Sequence, residues 1–420
     1  MNKDVFYDSL YGEVLLPDAI RHLVRLPLVQ RLRHIRLSNI DSVAMPGISG
    51  LSRFEHVLGV AHLASKTGYT ERLSKQQRVC LIAAALLHDW AITAFGHLVE
   101  EGFAYAGVNF DHEHKLAELI QNEDGELGGV DLQVFQGRSS GLQAWAEKWA
   151  PAEDALKDIT DAIEGVGRFG GLVKSDIDLD NIDNVYRMAY HMGLPVDRST
   201  PEAIARSIQG MGKRGEVLFA NEALPKILEW QHTRAQVYQR LMPAQPDFAA
   251  KIMLLHCAKL ACEAKEITPF DWKLTDIQFL SILQESRSPE CRDTLVRWEV
   301  GEFWVTTPLM WMRGNRPSYD RLAEFSQVLS DQLGQTCFAY AIKDKRSRVC
   351  NVHWSDGTSS QLGESPKQWM VGVGTPLRKA FTSEEVSGIR ELIKQQFDTT
   401  EADVREEDGY EATEDQISLI

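Results

Sequence analysis

No two of the six cysteines stand in a CxxC pair, and they are scattered along the chain. That spacing argues against a zinc ribbon or a disulfide framework and makes a reducing cytoplasm the expected setting. Positive charge is in deficit: 45 Lys and Arg face 60 Asp and Glu, a formal net charge of -15. So acidic a chain has no broad electrostatic footprint for duplex nucleic acid or anionic membrane, so neither is an expected partner. A small basic pocket for a nucleotide stays compatible with it. No apolar run is long enough to span a bilayer, and Met1 to Asp8 lacks the apolar segment of a signal peptide. Internal repeats are also missing. What is present, 44% hydrophobic and 25% charged residues over 420 positions, is ordinary for a globular protein of two or three domains, or of one large helical domain with appendages.

Most of the chain has helical periodicity. The pattern predicts helices over 19–35 (restarted at Pro27), 57–73, 75–87, 110–120 with Asp111 as N-cap, 141–163, 181–191, 224–241 and 248–264. Residues 268–304 read as helix divided by Pro289. Glycines punctuate loops near 125–129 and 165–171. Beyond Trp304 the texture changes. Residues 337–342 and 348–354 are rich in β-branched and aromatic side chains and flank the polar stretch 343–347, which predicts a hairpin. Residues 398–415 are acidic with few apolar side chains, so a disordered tail is expected. The fold class expected is mainly α, with a helical domain over 1–300, a small α+β module over 301–397 and an acidic tail over 398–420.

The chemistry concentrates around His88-Asp89, at the end of the apolar run 80–87. His56 lies upstream in the stretch 52–56, and Asp180 downstream in 176–180. Two imidazoles and two carboxylates from distant parts of a chain can hold a divalent metal, and such a metal activates water toward a phosphoester. Each of the four ends or opens an apolar helix, so each can project from a rigid element into a shared cleft. For the aspartates of 175–183 a surface loop is the competing reading. His97 and Glu100, three apart, share a helix face, as an imidazole and its orienting carboxylate do in general acid–base sites. An exposed pair of little consequence is the alternative. His22, His34, His62, His191 and His256 are read as ordinary core or surface residues.

These residues carry a resemblance. Gln30-Arg31-Leu32-Arg33, Met45-Pro46-Gly47, the stretch Ser52 to Val60, His88-Asp89, Phe95-Gly96-His97, His112-Glu113 and Ile177 to Asp180 resemble the HD-domain deoxynucleoside triphosphate triphosphohydrolases. That family includes bacterial dGTPases and the mammalian dNTP hydrolase with an N-terminal SAM domain. Weaker similarity reaches His232 to Arg234 and Lys273 to Asp276, so the likeness covers about residues 5 to 300. It implies an HD-domain helical phosphohydrolase fold. It also implies metal ligation by His56, His88, Asp89 and Asp180, a catalytic pair His97 and Glu100 with His112 beside it, and phosphate contacts from Arg53 and Arg234. The implied reaction is attack of water on the α-phosphate of a nucleoside triphosphate, giving nucleoside and triphosphate. A nucleotide substrate, a divalent metal (Mn, Mg, Fe, Ni or Zn) and a homo-oligomer are the cofactor and partners it implies.

The chain also departs from that family. Ile92 stands where a histidine or asparagine is common. Leu37 and Ser38 replace a glutamine and a leucine at the base and sugar edge. Asn181, Asn184 and Met188 replace a lysine, a tyrosine and an aspartate that contact phosphate and sugar. The hydrolytic residues are kept while the sugar- and base-reading ones are altered, which predicts a changed substrate preference. Two further readings follow: an HD phosphodiesterase or nuclease on cyclic nucleotides or single strands, and a nucleotide-sensing regulatory protein, as antiphage defence would use.

Overall fold

Two serine caps start the helix pair at the centre of the molecule. Ser52 accepts from Glu55 N and opens the helix Arg53–Lys66, and Ser74 closes a capping box with Gln77 to open Lys75–Leu87. The second of these is buried on every side from Val79 to Leu87, as a helix apolar all round must be. The two pack together, and Leu179–His191 packs on Arg53–Lys66 and on Leu224–Leu241. The computed structural model describes residues 5–38, 43–121, 141–346, 348–363, 367–376 and 379–402. The glycines near 125–129 and the acidic residues from 403 onward lie outside them.

The expected helix over 141–163 is two helices, Gly141–Trp149 and Ala155–Ile163, because Pro151 cannot continue the first. The one expected over 57–73 starts at Arg53, ends at Lys66 and passes into a single 3-10 turn, Gly68–Arg72. Pro27 opens a helix of its own.

The predicted hairpin beyond Trp304 does not form. Phe338–Lys343 pairs antiparallel with Gln368–Thr375, whereas Cys350–Trp354 lies between Ser359–Leu362 and, in parallel, Val217–Phe219. The burial patterns explain the separation. Phe338 to Ala341 are buried on both faces, against helices Tyr319–Leu333 and Gln245–Glu263, while Cys350–Trp354 alternates. Between them Asp344 accepts from Arg346 N at 2.9 Å and turns the chain from one sheet to the other.

Apolar side chains form two cores. One gathers the central helices with Cys350, Val352 and Trp354; the other joins residues 94–105 and 248–262 to the sheet strands Met310–Arg313, Phe338–Lys343 and Gln368–Thr375. Residues beyond 300 therefore share both cores with the helical part. At the start of the acidic tail, Ala402 N donates to Trp311 O at 2.8 Å, so residues 398–402 are folded onto the sheet.

Candidate metal and active site

Every candidate metal ligand sits at or near a helix end. His56 lies one turn inside Arg53–Lys66, His88 terminates Lys75–Leu87 with Asp89 next, and Asp180 is in the first turn of Leu179–His191, whose N-cap is Asp178. They converge. His56 Nε2 is 3.0 Å from Asp180 Oδ1 and 4.0 Å from Asp89 Oδ2; His88 Nε2 is 3.6 Å from Asp89 Oδ2 and 3.8 Å from Asp180 Oδ1. The donor atoms of His56, His88 and Asp180 lie within 4.8 Å of one another and can hold a metal ion. His88 Nδ1 is fixed on Ala85 O at 2.9 Å, while its Nε2 is buried with no hydrogen-bond partner. An orphaned imidazole nitrogen facing a carboxylate and a second imidazole fits a divalent cation in this cluster.

Behind the ligands lies a network the sequence reading missed. Buried His56 donates through Nδ1 to Asp183 Oδ2 at 2.7 Å. Arg187, fully buried, clamps Asp183 with two bonds of 2.9 Å and also reaches Asp8 at 2.9 Å and Glu55 at 3.0 Å. Tyr11 donates to Asp183 at 2.9 Å. Burial opposes charge on His56, but its bonds to Asp180 and Asp183 outweigh it and raise its pKa to about 9. Burial likewise opposes charge on Asp183, and the Arg187 cation holds its pKa far below the usual carboxylate range. Gly59 makes room for the clamp: a Cβ there would meet Asp183 Oδ1 at 2.0 Å and Arg187 Nη2 at 2.2 Å. The i to i+4 spacing of Asp183 and Arg187, one turn past Asp180, is the signal that points to them.

Asp89 also pairs with Arg53 at 2.5 Å. Gly96, at φ +64°, lets that guanidinium approach, since a Cβ would stand 2.8 Å from Arg53 Nη2. Asp276 holds the same loop from below, accepting from Phe95 N at 2.6 Å and from Arg36 Nε at 3.0 Å. Arg31 fixes the loop's start by donating to the carbonyls of Trp90 and Ile92. Ile92 is buried in the core and does not line the cleft, so no polar group is missing from the wall there.

The second cluster is hydrogen-bonded through one atom. Glu100 Oε2 accepts from His97 Nδ1 at 3.2 Å and from His112 Nδ1 at 3.0 Å. The far nitrogen, Nε2, of each ring is left for the cleft. These three donors also lie within 4.8 Å of one another, but their Nδ1 atoms are engaged on the carboxylate. The two imidazoles are driven apart. His97 has its pKa lowered, first by desolvation among the surrounding protein and then by Arg53 and His112, although its side chain is 45% exposed to the cleft. Burial opposes charge on His112 too, yet Glu100 beside it raises its pKa. Glu100 itself, bonded by both rings against the cost of its burial, is lowered to about 2.

Both clusters open into one cleft of about 360 Å³, lined also by Arg53, Leu37, Ser38, Asn184, Met188 and Tyr238. Arg234 is not among its lining residues; it is buried with its guanidinium over Tyr238 at 4.7 Å. Lys174, Lys345 and Arg348 line the cleft without having been foreseen.

The comparisons with known proteins fit this geometry. The HD domain family matches residues 53–164, a span from Arg53 to the end of Ala155–Ile163. The deoxynucleoside triphosphate triphosphohydrolase SAMHD1 of Danio rerio is 34% identical over 268 residues, covering 56% of this chain and 41% of that protein. The Gallus gallus protein of the same name is 24% identical over 345 residues, 71% of this chain and 55% of that one. The chain thus spans about half the length of these relatives. Among solved structures, a phosphohydrolase of Bacteroides thetaiotaomicron superposes with a TM-score of 0.63 at 17% identity, covering 89% of this chain and 99% of that one; the likeness is one of fold.

Proposed function

We propose that the chain, whose residues 53–164 match the HD domain, is a metal-dependent nucleotide phosphohydrolase that cleaves (deoxy)nucleoside triphosphates to nucleoside and triphosphate. The observation that carries the reading is the orphaned Nε2 of His88, set among His56, Asp89 and Asp180 and opening into the cleft shared with His97, Glu100 and His112. When bound by those four ligands, a divalent cation supplies Lewis acidity toward a phosphoryl oxygen and a lowered pKa for water. Nitrogen and oxygen donors together suit Mn, Mg, Fe, Ni or Zn.

The rest of the chemistry belongs to the chain's own groups. Glu100 fixes Nδ1–H on both imidazoles, so neutral His97 presents the Nε2 lone pair and accepts the proton of the attacking water. His112, held protonated, presents Nε2–H to the developing charge or to the leaving oxygen. Water oxygen bonds to the α-phosphorus, the bond from phosphorus to the nucleoside 5′ oxygen breaks, and that oxygen leaves with a proton. Arg53, anchored on Asp89, contacts phosphate. The altered edge (Leu37, Ser38, Asn184) selects the sugar and base, and Arg234 acts on the phosphates through the packing of Tyr238. We further place the protein in the cytoplasm as a homo-oligomer; among the described residues no helix is long and apolar enough to cross a membrane.

The deciding experiment is a panel of dNTPs, NTPs, cyclic dinucleotides and oligonucleotides, with metal analysis of the purified protein and chromatography of the products. Free triphosphate together with nucleoside supports the proposal. Monophosphate or cleaved oligonucleotide in its place establishes a phosphodiesterase or nuclease, and tight nucleotide binding without product establishes a sensor.

A further inference from the structure

The crossover between the two sheets delivers Lys345 and Arg348 to the cleft. Arg348 is anchored there. Its Nη1 donates to Asn181 Oδ1 at 3.2 Å and its Nη2 to Ser175 O at 2.9 Å, with Asp176 at 3.6 Å. A guanidinium carries five N–H donors, so a group held by two of them keeps donors for a ligand. Lys345 is exposed, with its ammonium 5.7 Å from the centre of the Tyr238 ring and, among the described residues, no carboxylate within ion-pair distance. Arg53 and Lys174 also reach the cleft wall, paired with Asp89 and Glu113, so Lys345 is the cation of that wall without a carboxylate partner among the described residues.

We propose that Lys345 and Arg348 form a polyphosphate-binding wall, supplied by the C-terminal region, that takes the distal phosphates of the substrate. The assignment rests on the cleft being a nucleotide site and adds to it a selection for ligands with several phosphates over those with one. An ammonium contributes a point charge and a guanidinium a planar fork, a combination suited to a chain of phosphates.

The test is calorimetric titration of the full chain with inorganic triphosphate and, separately, with orthophosphate, at fixed low salt. The wild type is expected to bind triphosphate more tightly than orthophosphate. Lys345→Ala should weaken triphosphate binding about tenfold, the effect of one charge-assisted contact, and leave orthophosphate nearly unchanged; Lys345→Arg should restore most of the loss. Arg348→Lys, checked for an unchanged thermal midpoint, should weaken triphosphate by a similar factor. Wild-type affinity for triphosphate in Lys345→Ala, or no triphosphate binding by the wild type, overturns the assignment. Failure of the hydrolase reading shows separately, as triphosphate binding that depends on Lys345 in a protein that turns over nothing in the panel.

Discussion

His56 and Lys345 serve the same cleft from opposite kinds of surroundings. His56 is buried, bonded on one nitrogen to Asp183 and close on the other to Asp180, with Arg187, Asp8, Glu55 and Tyr11 behind it. Lys345 is exposed on a connection between two sheets, with its ammonium 5.7 Å from the centre of the Tyr238 ring. The first wall is arranged before any ligand arrives, since each ligand side chain is oriented by a partner already in place. The second wall keeps the Lys345 ammonium without a carboxylate partner among the described residues. A hydrolytic site gains from rigidity where charge develops, because preorganised groups need no rearrangement during reaction, whereas groups that recognise a substrate must be left unsatisfied until it binds.

The sharpest way to break this contrast is to remove the rigid wall. His88→Ala combined with Asp89→Ala is expected to abolish metal content and to lower turnover at least about a thousandfold, the rate equivalent of the several kcal/mol a bound Lewis acid contributes. Elemental analysis and product assays check it together; full activity in the metal-free variant would sink the proposed chemistry. Glu100→Gln should act next in size, costing about a hundredfold in kcat/KM, the lower end of what general acid–base groups supply. It also carries a sign. His97 is lowered and His112 raised, so the active state, His97 neutral and His112 charged, exists between the two pKa values. Activity is lost as pH falls through the first and as it rises through the second. Removing the Glu100 charge takes away what raises His112, so the alkaline limb of the kcat/KM profile should move to lower pH; an unmoved limb excludes His112 as its source.

Asp183→Asn tests the network rather than the ligands. The carboxylate that orients His56 touches no substrate, and groups in that position typically contribute roughly 10- to 100-fold in metal affinity. The variant should bind metal more weakly by that factor in competition with a chelator, while Arg187, left facing fewer carboxylates in a dry interior, lowers the denaturant midpoint as well. Unchanged metal affinity would mean that the ring of His56 is held by packing alone.

How much of this was legible in the chain depends on how each residue reaches the site. The convergence of His56, His88, Asp89 and Asp180 on one cleft was legible because a helix end is a local feature and places its residue at a fixed point. The clustering of His97, Glu100 and His112 followed for the same reason. Asp183 and Arg187 were half-legible: their spacing marks an ion pair on a helix, but only packing under Gly59 shows that it serves His56. Lys345 and Arg348 left no local trace, since a crossover from one sheet to another brings them to residues far away in the chain, Lys345 to Tyr238 and Arg348 to Asn181. The same topology defeated the hairpin prediction: two neighbouring strands looked like partners, and only their different burial on the two faces sends them to different sheets.

The smallest expected effect sits on the open wall. Asn184 lines the cleft, and among the described residues its amide has no hydrogen-bond partner, which leaves both donor and acceptor for a ligand. One neutral hydrogen bond contributes about 0.5–1.5 kcal/mol, so Asn184→Ala should raise KM roughly two- to twelvefold for the preferred nucleotide. On the proposed reading, Asn184 contacts sugar or base rather than the phosphates, so ground state and transition state lose the same contact, and kcat should hold. The comparison of substrates adds the decisive half. A nucleotide with a hydroxyl that Asn184 reads should lose most of its advantage over its analogue lacking that group, whereas a pair that differs elsewhere should keep its ratio. Equal losses across the whole panel would move Asn184 from the recognising wall to the supporting one, and would leave Leu37 and Ser38 as the residues that choose the sugar.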